Sequence, residues 1–176
     1  MYNRLEHYLE TNDILYNHQF GFRKGHSTEH ALMSITEQIK SNFSSKTFSC
    51  GVFVDLEKAF DTVNHQILLS KLKHYGLRDR SLEWFTSYLS NRSQQVSVNG
   101  ELSQSNQVTC GVPQGSILGP LLFLIYINDM HKAIKHSSVY HFADDTNLLY
   151  SHKNPKTLRN KVNQDLKLLY EWLCSP

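Results

Sequence analysis

The chain has 176 residues, 40% of them hydrophobic and 19% charged, and a formal net charge of +2. This length and composition fit a globular protein with a sizeable core, and the mild positive charge is too small to indicate nucleic-acid binding by itself. The sequence shows no signal peptide, membrane span, internal repeat or low-complexity linker. Its three cysteines are scattered and lack zinc-ligand spacing, which predicts free thiols in a reducing, intracellular compartment, with nucleus and cytoplasm left open.

A basic loop leads into the first predicted helix. Arg23 and Lys24 lie between two glycines, a composition that can fold over phosphates, although a solvated basic turn explains both residues better when the loop is taken alone. Ser27 or Thr28 predicts the N-cap of a helix that extends through Ile39. The apolar residues on one face of this helix are Ala31, Leu32, Ile35 and Ile39.

A buried strand is predicted next. The run Cys50–Val54 is short, apolar and rich in β-branched and aromatic residues, and it ends in Asp55. A carboxylate at the end of a buried strand must be solvated or paired with a cation. A helix N-cap is the alternative role for Asp55, because the segment Leu56–Phe60 could begin a helical turn.

Two helices are predicted in the middle of the chain. Capping groups between Asp61 and Asn64 open the first helix, which stops at Gly76. Asp79 or Ser81 begins the second, which ends near Asn91. Apolar residues recur at helical spacing in both, so we expect both helices to contribute to the core.

Turn signals follow these helices. The segment Gln94–Val98 alternates, and Asn99-Gly100 is a strong signal for a two-residue β-hairpin. Further along, Gly111, Pro113 and Gly115 surround Gln114, so the backbone must bend sharply at that amide.

The second half of the chain contains two more predicted helices. Leu121–Ile127 is apolar on all sides, as expected of a helix buried behind a sheet, with Pro120 at or near its first position. It is too short to span a membrane. Apolar residues recur at helical spacing again from Leu158 to Leu173.

Two adjacent carboxylates, Asp144 and Asp145, separate the apolar runs Val139–Phe142 and Leu148–Tyr150, which predict two short strands joined by a hairpin. A solvated Asp-Asp turn explains this pair better when it is taken alone. If the strand before Asp55 lies beside this hairpin, however, three carboxylates converge on one edge of the sheet. Such a cluster can bind two divalent ions for in-line phosphoryl transfer, because Mg²⁺ prefers carboxylate oxygens.

Four sequence blocks occur in a specific order: Gln19–Thr28, Val54–Asp61, Gly111–Pro120 and Phe142–Asp145. In these blocks the chain resembles the fingers and palm of a reverse transcriptase, most closely those of animal non-LTR retrotransposons. The resemblance implies an α+β fold, namely a polymerase right-hand palm in which an antiparallel sheet is backed by helices, with part of the fingers and without a thumb. It also implies that residues 1–176 form a single partial reverse transcriptase domain, truncated at both ends.

The activity implied by this resemblance is RNA-directed DNA polymerisation, in which deoxynucleotides are added to a primer 3′-OH. Asp55, Asp144 and Asp145 would be the catalytic residues and would hold two Mg²⁺ ions, with Mn²⁺ as a possible substitute. The implied partners are an RNA template, a DNA primer and deoxynucleoside triphosphates, without a membrane; the oligomeric state stays open.

The resemblance further implies a nucleotide site. The ring of Phe60 would form a wall that leaves no room for a ribose 2′-OH, although an ordinary core aromatic is the alternative. Gln114 and Gly115 would lie beside the nascent base pair. Arg23 would contact the triphosphate, and Lys24 is the weaker assignment.

Two other functions remain open. A truncated retroelement remnant could bind nucleic acid without catalysis, because primer-binding segments of the family are missing from the chain. An RNA-dependent RNA polymerase is disfavoured by Phe60, since viral polymerases of that class generally carry a polar residue there.

Overall fold

A computed structural model describes residues 1–174. The helices and strands, in chain order, are α1 (Tyr2–Thr11), α2 (Thr28–Ser44), β1 (Phe48–Val54), α3 (His65–His74), α4 (Asp79–Leu89), β2 (Arg92–Gln94), β3 (Ser97–Val98), β4 (Glu101–Leu102), β5 (Asn106–Val108), α5 (Leu118–Ile127), α6 (Met130–Ala133), β6 (Ser138–Phe142), β7 (Asp145–His152) and α7 (Pro155–Cys174). They form two compact units. The first unit contains residues 3–57 and 127–174, and the second contains residues 58–126.

The first unit is built on a three-stranded antiparallel sheet in the order β1-β7-β6. Leu149 of β7 belongs to an apolar cluster with Ala31 of α2, whereas the next residue, Tyr150, faces Asp165 of α7. Because successive side chains of a strand point to opposite faces, α2 and α7 cover opposite faces of this sheet. The mixed composition of helices and antiparallel strands confirms the coarse fold class predicted from the sequence.

The outer edge of β6 is covered by residues that precede α2. The N–H of Phe20 donates to the carbonyl of His141 (2.8 Å), and the N–H of His141 donates to the carbonyl of His18 (2.8 Å). This short segment therefore runs parallel to β6, with Gln19 paired to His141. Neither this segment nor α1 is predicted from the sequence.

The second unit contains α3 packed on α4, two small hairpins and most of α5. Asn64 caps α3, because its Oδ1 accepts the N–H groups of Gln66 (2.9 Å) and Ile67 (3.2 Å). Asn99 and Gly100 both have positive φ (52° and 88°), as a type I′ turn between β3 and β4 requires. The predicted hairpin is confirmed.

Several local predictions hold and others do not. Ser27 caps α2 through the N–H of His30 (3.3 Å), as predicted. The alternating segment Gln94–Val98 is split between β2 and β3 instead of forming one strand. Leu32 and Ile39 were expected to face inward from α2 but are 63% and 44% exposed. The apolar spacing alone did not define the width of the buried face, because α2 contacts only one side of a small sheet. No helix among residues 1–174 has the length and apolar character needed to cross a membrane.

Asp165 of α7 is fully buried, and its role is backbone capping. Its two carboxylate oxygens accept the N–H groups of Lys135 (3.1 Å) and His136 (2.9 Å), which follow α6. Asp165 therefore holds the backbone between α6 and β6 to α7, and Gln164 of the same helix adds a contact to the His136 ring (3.1 Å).

We predict that Asp165→Ala lowers the free energy of unfolding by about 2 to 4 kcal/mol, because it leaves two backbone donors without their acceptor. Urea denaturation followed by circular dichroism measures this loss. The control is Glu37→Ala at an exposed position of α2, which should change stability by less than about 0.5 kcal/mol. Equal stability of the two variants would contradict the capping role.

Candidate active site

The hairpin between β6 and β7 carries the adjacent carboxylates. Phe142 pairs with Asp145, so the connecting turn contains only Ala143 and Asp144. Ala143 has a φ of 56°, the positive value that the first central residue of primed hairpin turns adopts. The predicted hairpin is confirmed, with Asp144 in the turn and Asp145 as the first residue of β7.

Asp55 lies at the same end of the sheet. β1 pairs with β7 so that Val54 is opposite Thr146, and the next residues along this register are Asp55 and Asp145. The register of β1 and β7 thus brings the end of β1, which Asp55 follows, to the Asp144-Asp145 hairpin, as expected if the strands are neighbours.

Within the part of the chain that the structure describes, these three carboxylates have no protein counter-ion. Asp55 and Asp145 are exposed and Asp144 is half-buried, and among the described residues none of the three side chains makes a hydrogen bond or ion pair. Within residues 1–174 no group of three or more His, Cys, Asp or Glu side chains is arranged so that it could hold a metal ion, so the expected convergence of all three carboxylates on one ion is not observed. An open site still fits Mg²⁺, which typically uses one or two carboxylates together with water and substrate phosphates.

The residues predicted to select the nucleotide lie in the second unit. Phe60 is half-buried, and its ring stacks on Phe123 with centroids 4.4 Å apart and an interplanar angle of 25°. Gln114 is exposed, and its Nε2 donates to Oδ1 of Asp61 at 2.8 Å. Gly115 is exposed and has a φ of 75°.

Backbone hydrogen bonds join the segments that carry Phe60 and Gln114. The N–H of Val112 donates to the carbonyl of Phe60 (2.9 Å), and the N–H of Gly111 donates to that of Val63 (2.7 Å). A Cβ atom on Gly111 would lie 2.8 Å from the carbonyl oxygen of Asp61, so a side chain there would separate the two segments. The second and third sequence blocks therefore meet in this unit.

Comparison with known proteins identifies the family. The family model described as "Reverse transcriptase (RNA-dependent DNA polymerase)" matches residues 1–175. The chain belongs to the reverse transcriptase family. It is 36% identical over 186 residues to "Probable RNA-directed DNA polymerase from transposon BS" of Drosophila melanogaster, a match that covers 98% of this chain and 19% of the relative.

A second relative is "RNA-directed DNA polymerase from mobile element jockey" of Drosophila melanogaster, with 30% identity over 177 residues, 97% of this chain and 19% of the relative. A solved structure, "Partial Cas6-RT-Cas1--Cas2 complex", matches with 25% identity and a TM-score of 0.37 over 84% of this chain and 25% of that one, which is too low a score to support an argument. This reverse transcriptase chain spans about a fifth of the length of these two curated relatives.

Arg23 of this reverse transcriptase chain is bound to protein groups. Its Nε and Nη2 donate to the two carboxylate oxygens of Glu10 (3.0 and 2.9 Å), and its Nη1 donates to the carbonyl of Tyr16 (3.0 Å). The side chain is only 7% exposed. A phosphate at Arg23 would have to displace Glu10, whereas Lys24 is exposed and makes no side-chain interaction with the described residues.

Two residues near the predicted site were missed from the sequence. Asp61 was assigned only to capping, yet Asn64 caps the helix and Asp61 instead binds the Gln114 amide. No role was predicted for His141. A histidine within an apolar strand is a sequence signal that could have identified it. His141 is 2% exposed and lies three residues before Asp144.

His141 is held as a neutral base. Its Nδ1 lies 2.9 Å from Oγ1 of Thr146, which also lies 3.7 Å from Sδ of Met130, so a buried hydrogen bond joins the imidazole to β7. Its Nε2 is buried with no hydrogen-bond partner among the described residues. Burial lowers the pKa of His141 from 6.5 to about 4.

We predict an acid-dependent loss of stability from His141. The pKa of His141 is lower in the folded chain than in the unfolded chain, so the unfolded chain binds a proton first as the pH falls. The free energy of unfolding is therefore highest above pH 6.5 and decreases as the pH drops toward about 4. The loss is roughly 3 kcal/mol, at about 1.4 kcal/mol for each pKa unit. Unfolding free energies measured across this pH range should fall less steeply for His141→Gln than for the parent chain or for His30→Gln, an exposed control. Identical slopes for all three would contradict this interpretation.

Proposed function

We propose that this chain carries the polymerase centre of an RNA-directed DNA polymerase of the non-LTR retrotransposon type. Asp55 and Asp144 would hold two divalent ions, Mg²⁺ or in its place Mn²⁺, with Asp145 assisting. The observation that supports this proposal is the register of β1 and β7, which brings Asp55 to the hairpin of unpaired carboxylates.

The reaction assigned to this centre is nucleotidyl transfer. The 3′-oxygen of a DNA primer attacks the α-phosphorus of a deoxynucleoside triphosphate, and the bond to the pyrophosphate oxygen breaks. When bound, two Mg²⁺ ions supply activation of the attacking oxygen and stabilisation of the leaving oxygen. The chain's own contribution is a rigid strand end and a tight turn, which fix the positions of the oxygen ligands before substrate arrives.

In the right-hand polymerase architecture, we assign the three-stranded sheet of the first unit, with α2 and α7, to the palm. The remaining residues would include part of the fingers, and residues 1–176 would be one partial domain of a longer enzyme. The support for this assignment is the combination of a helix-covered antiparallel sheet with catalytic-type carboxylates at one end.

Nucleotide selection is assigned to the second unit. Phe60 would exclude the ribose 2′-OH, and its stacking on Phe123 would keep the ring in place. Gln114 and Gly115 would lie against the base pair formed with the RNA template, and the hydrogen bond that the Gln114 amide donates to Asp61 would orient it. A backbone at a glycine can approach a base closely, because no Cβ intervenes.

Phosphate binding is assigned to the basic loop of the first unit. Lys24 is the side chain that can reach solvent and anions, and Arg23 fixes the loop to Glu10 and Tyr16. If Arg23 itself contacts the triphosphate, its bidentate contact with Glu10 must open first.

Because Asp144 is proposed as a metal ligand, we predict that Asp144→Asn lowers the rate of Mg²⁺-dependent primer extension by at least about 100-fold. Losing a residue that only orients a metal ligand can already cost about that factor. Asp13→Asn, at an exposed position of the same unit, is the matched control and should retain activity. The assay extends a DNA primer on an RNA template with deoxynucleoside triphosphates. Equal synthesis by Asp144→Asn and the parent chain would refute the catalytic role.

The same variants should be titrated calorimetrically with Mn²⁺, since metal binding does not require the rest of a longer enzyme. Binding that is lost in Asp144→Asn, without extension by the parent chain, would favour a nucleic-acid-binding remnant. No binding by the parent chain would contradict the proposed metal site.

The wall formed by Phe60 predicts that Phe60→Ala lowers the preference for deoxynucleotides over ribonucleotides by at least about tenfold, the discrimination that a small steric difference in a pocket can supply. Competing incorporation of the two nucleotide types into one primer measures this preference. Phe43→Ala, at an 85% exposed position of α2, should leave it unchanged. An unchanged preference in Phe60→Ala would remove the argument against an RNA-dependent RNA polymerase.

A further inference from the structure

The buried amide of Gln19 binds the turn that carries Asp144. Gln19 is 3% exposed. Its Oε1 accepts the N–H groups of Gly21 (2.9 Å) and Ala143 (3.0 Å), and its Nε2 donates to the carbonyl of Ala143 (3.2 Å). One side chain therefore satisfies both backbone polar groups of the residue that precedes Asp144.

This contact continues a backbone ladder. The segment around Gln19 pairs in parallel with His141, and the following positions along that register would be Gly21 and Ala143. At Gly21 and Ala143 the side chain of Gln19 forms hydrogen bonds in place of backbone pairing between the two segments. A Cβ atom on Gly21 would lie 2.1 Å from the amide nitrogen of Ala143, so this close approach requires glycine.

The turn has two reasons to relax without such support. Ala143 occupies the left-handed backbone region at a φ of 56°, which is unfavourable for a residue with a Cβ atom. The adjacent carboxylates of Asp144 and Asp145 repel each other, and no side-chain interaction with the described residues compensates their charge. Hydrogen bonds to both the N–H and the carbonyl of Ala143 fix the two peptide planes that flank this residue, the second of which leads into Asp144.

We propose that Gln19 is a positioning residue for the metal site: its amide holds Ala143 in the strained turn conformation and thereby presents Asp144 to a divalent cation. This proposal rests on the proposed function of Asp144 as a metal ligand. Gln19 itself is buried behind the turn and acts only through Ala143.

The test combines amide hydrogen exchange at Ala143 with the affinity for Mn²⁺, both measured on the chain of residues 1–176. Gln19→Met keeps the length of the side chain but removes its donor and acceptors. Gln19→Glu keeps an acceptor for the Ala143 N–H. Gln38→Met is the matched control, because Gln38 lies on α2 of the same unit and its amide binds Asn42 instead of the hairpin.

We expect Gln19→Met to speed exchange of the Ala143 amide by at least about tenfold, since a local hydrogen bond no longer opposes opening. The Mn²⁺ dissociation constant should rise by about tenfold or more, as when other groups that orient a metal ligand are lost. Gln19→Glu should speed Ala143 exchange less than Gln19→Met does, because the carboxylate still accepts that N–H although it no longer donates to the Ala143 carbonyl. A purely space-filling Gln19 predicts the reverse order, with methionine as the better replacement. Gln38→Met should change neither quantity.

Normal Ala143 protection and unchanged Mn²⁺ affinity in a folded Gln19→Met variant would overturn the proposal. If the parent chain binds no Mn²⁺, the proposed function fails. Hydrogen exchange at Ala143 then tests the role of Gln19 by itself: faster exchange in Gln19→Met supports that role, and unchanged exchange overturns it. If Gln19→Met does not fold, exchange in Gln19→Asn decides, because the shorter side chain cannot bring its amide to Ala143: exchange at least about tenfold faster supports the proposal, and parent-like protection overturns it.

Discussion

The register between β1 and β7 is the constraint on which the candidate active site depends. It runs from Phe48 opposite His152 to Val54 opposite Thr146, so Asp55 follows the last paired residue of β1 at the end of the sheet where β7 begins with Asp145. A slip of one residue would send the Asp55 side chain to the opposite face of the sheet. The register is set by burial, because Leu148, Leu149 and Tyr150 must all meet the helices that cover the two faces. Packing of these core residues therefore determines the position of the carboxylates, which lie outside the core at the end of the sheet.

The surroundings of the hairpin keep its negative charge available to an external cation. His141, buried two residues before the turn, is neutral because burial lowers its pKa to about 4, so it supplies no counter-charge. Gln19 binds the turn through a neutral amide. Arg23, one of the two cations of the first sequence block, is occupied by Glu10 and Tyr16. The unit thus stabilises the turn by uncharged hydrogen bonds and leaves Asp55, Asp144 and Asp145 without an ion pair among the described residues.

Sequence patterns predicted the features that depend on neighbouring residues. The Asn99-Gly100 hairpin, the Ser27 cap and the strands around Asp144 follow from turn chemistry, capping and alternation, which act over a few positions. The features that were missed depend on distant residues. The amide of Gln19 binds Ala143 across 124 positions, and Arg23 meets a helix that was not predicted. Leu32 is apolar yet exposed, because helical spacing does not specify how much of a helix a small sheet can cover. The family resemblance supplied candidate roles for residues, whereas only the packed structure shows which side chains are free to perform them.

We propose that the β1–β7 register creates a divalent-cation site from Asp55 and the Asp144-Asp145 turn. Anomalous diffraction from crystals of the chain soaked in Mn²⁺ and a deoxynucleoside triphosphate tests it most directly. We expect an anomalous peak in contact with carboxylate oxygens of both Asp55 and Asp144. A peak bound elsewhere, or none in the presence of both ligands, would contradict the account.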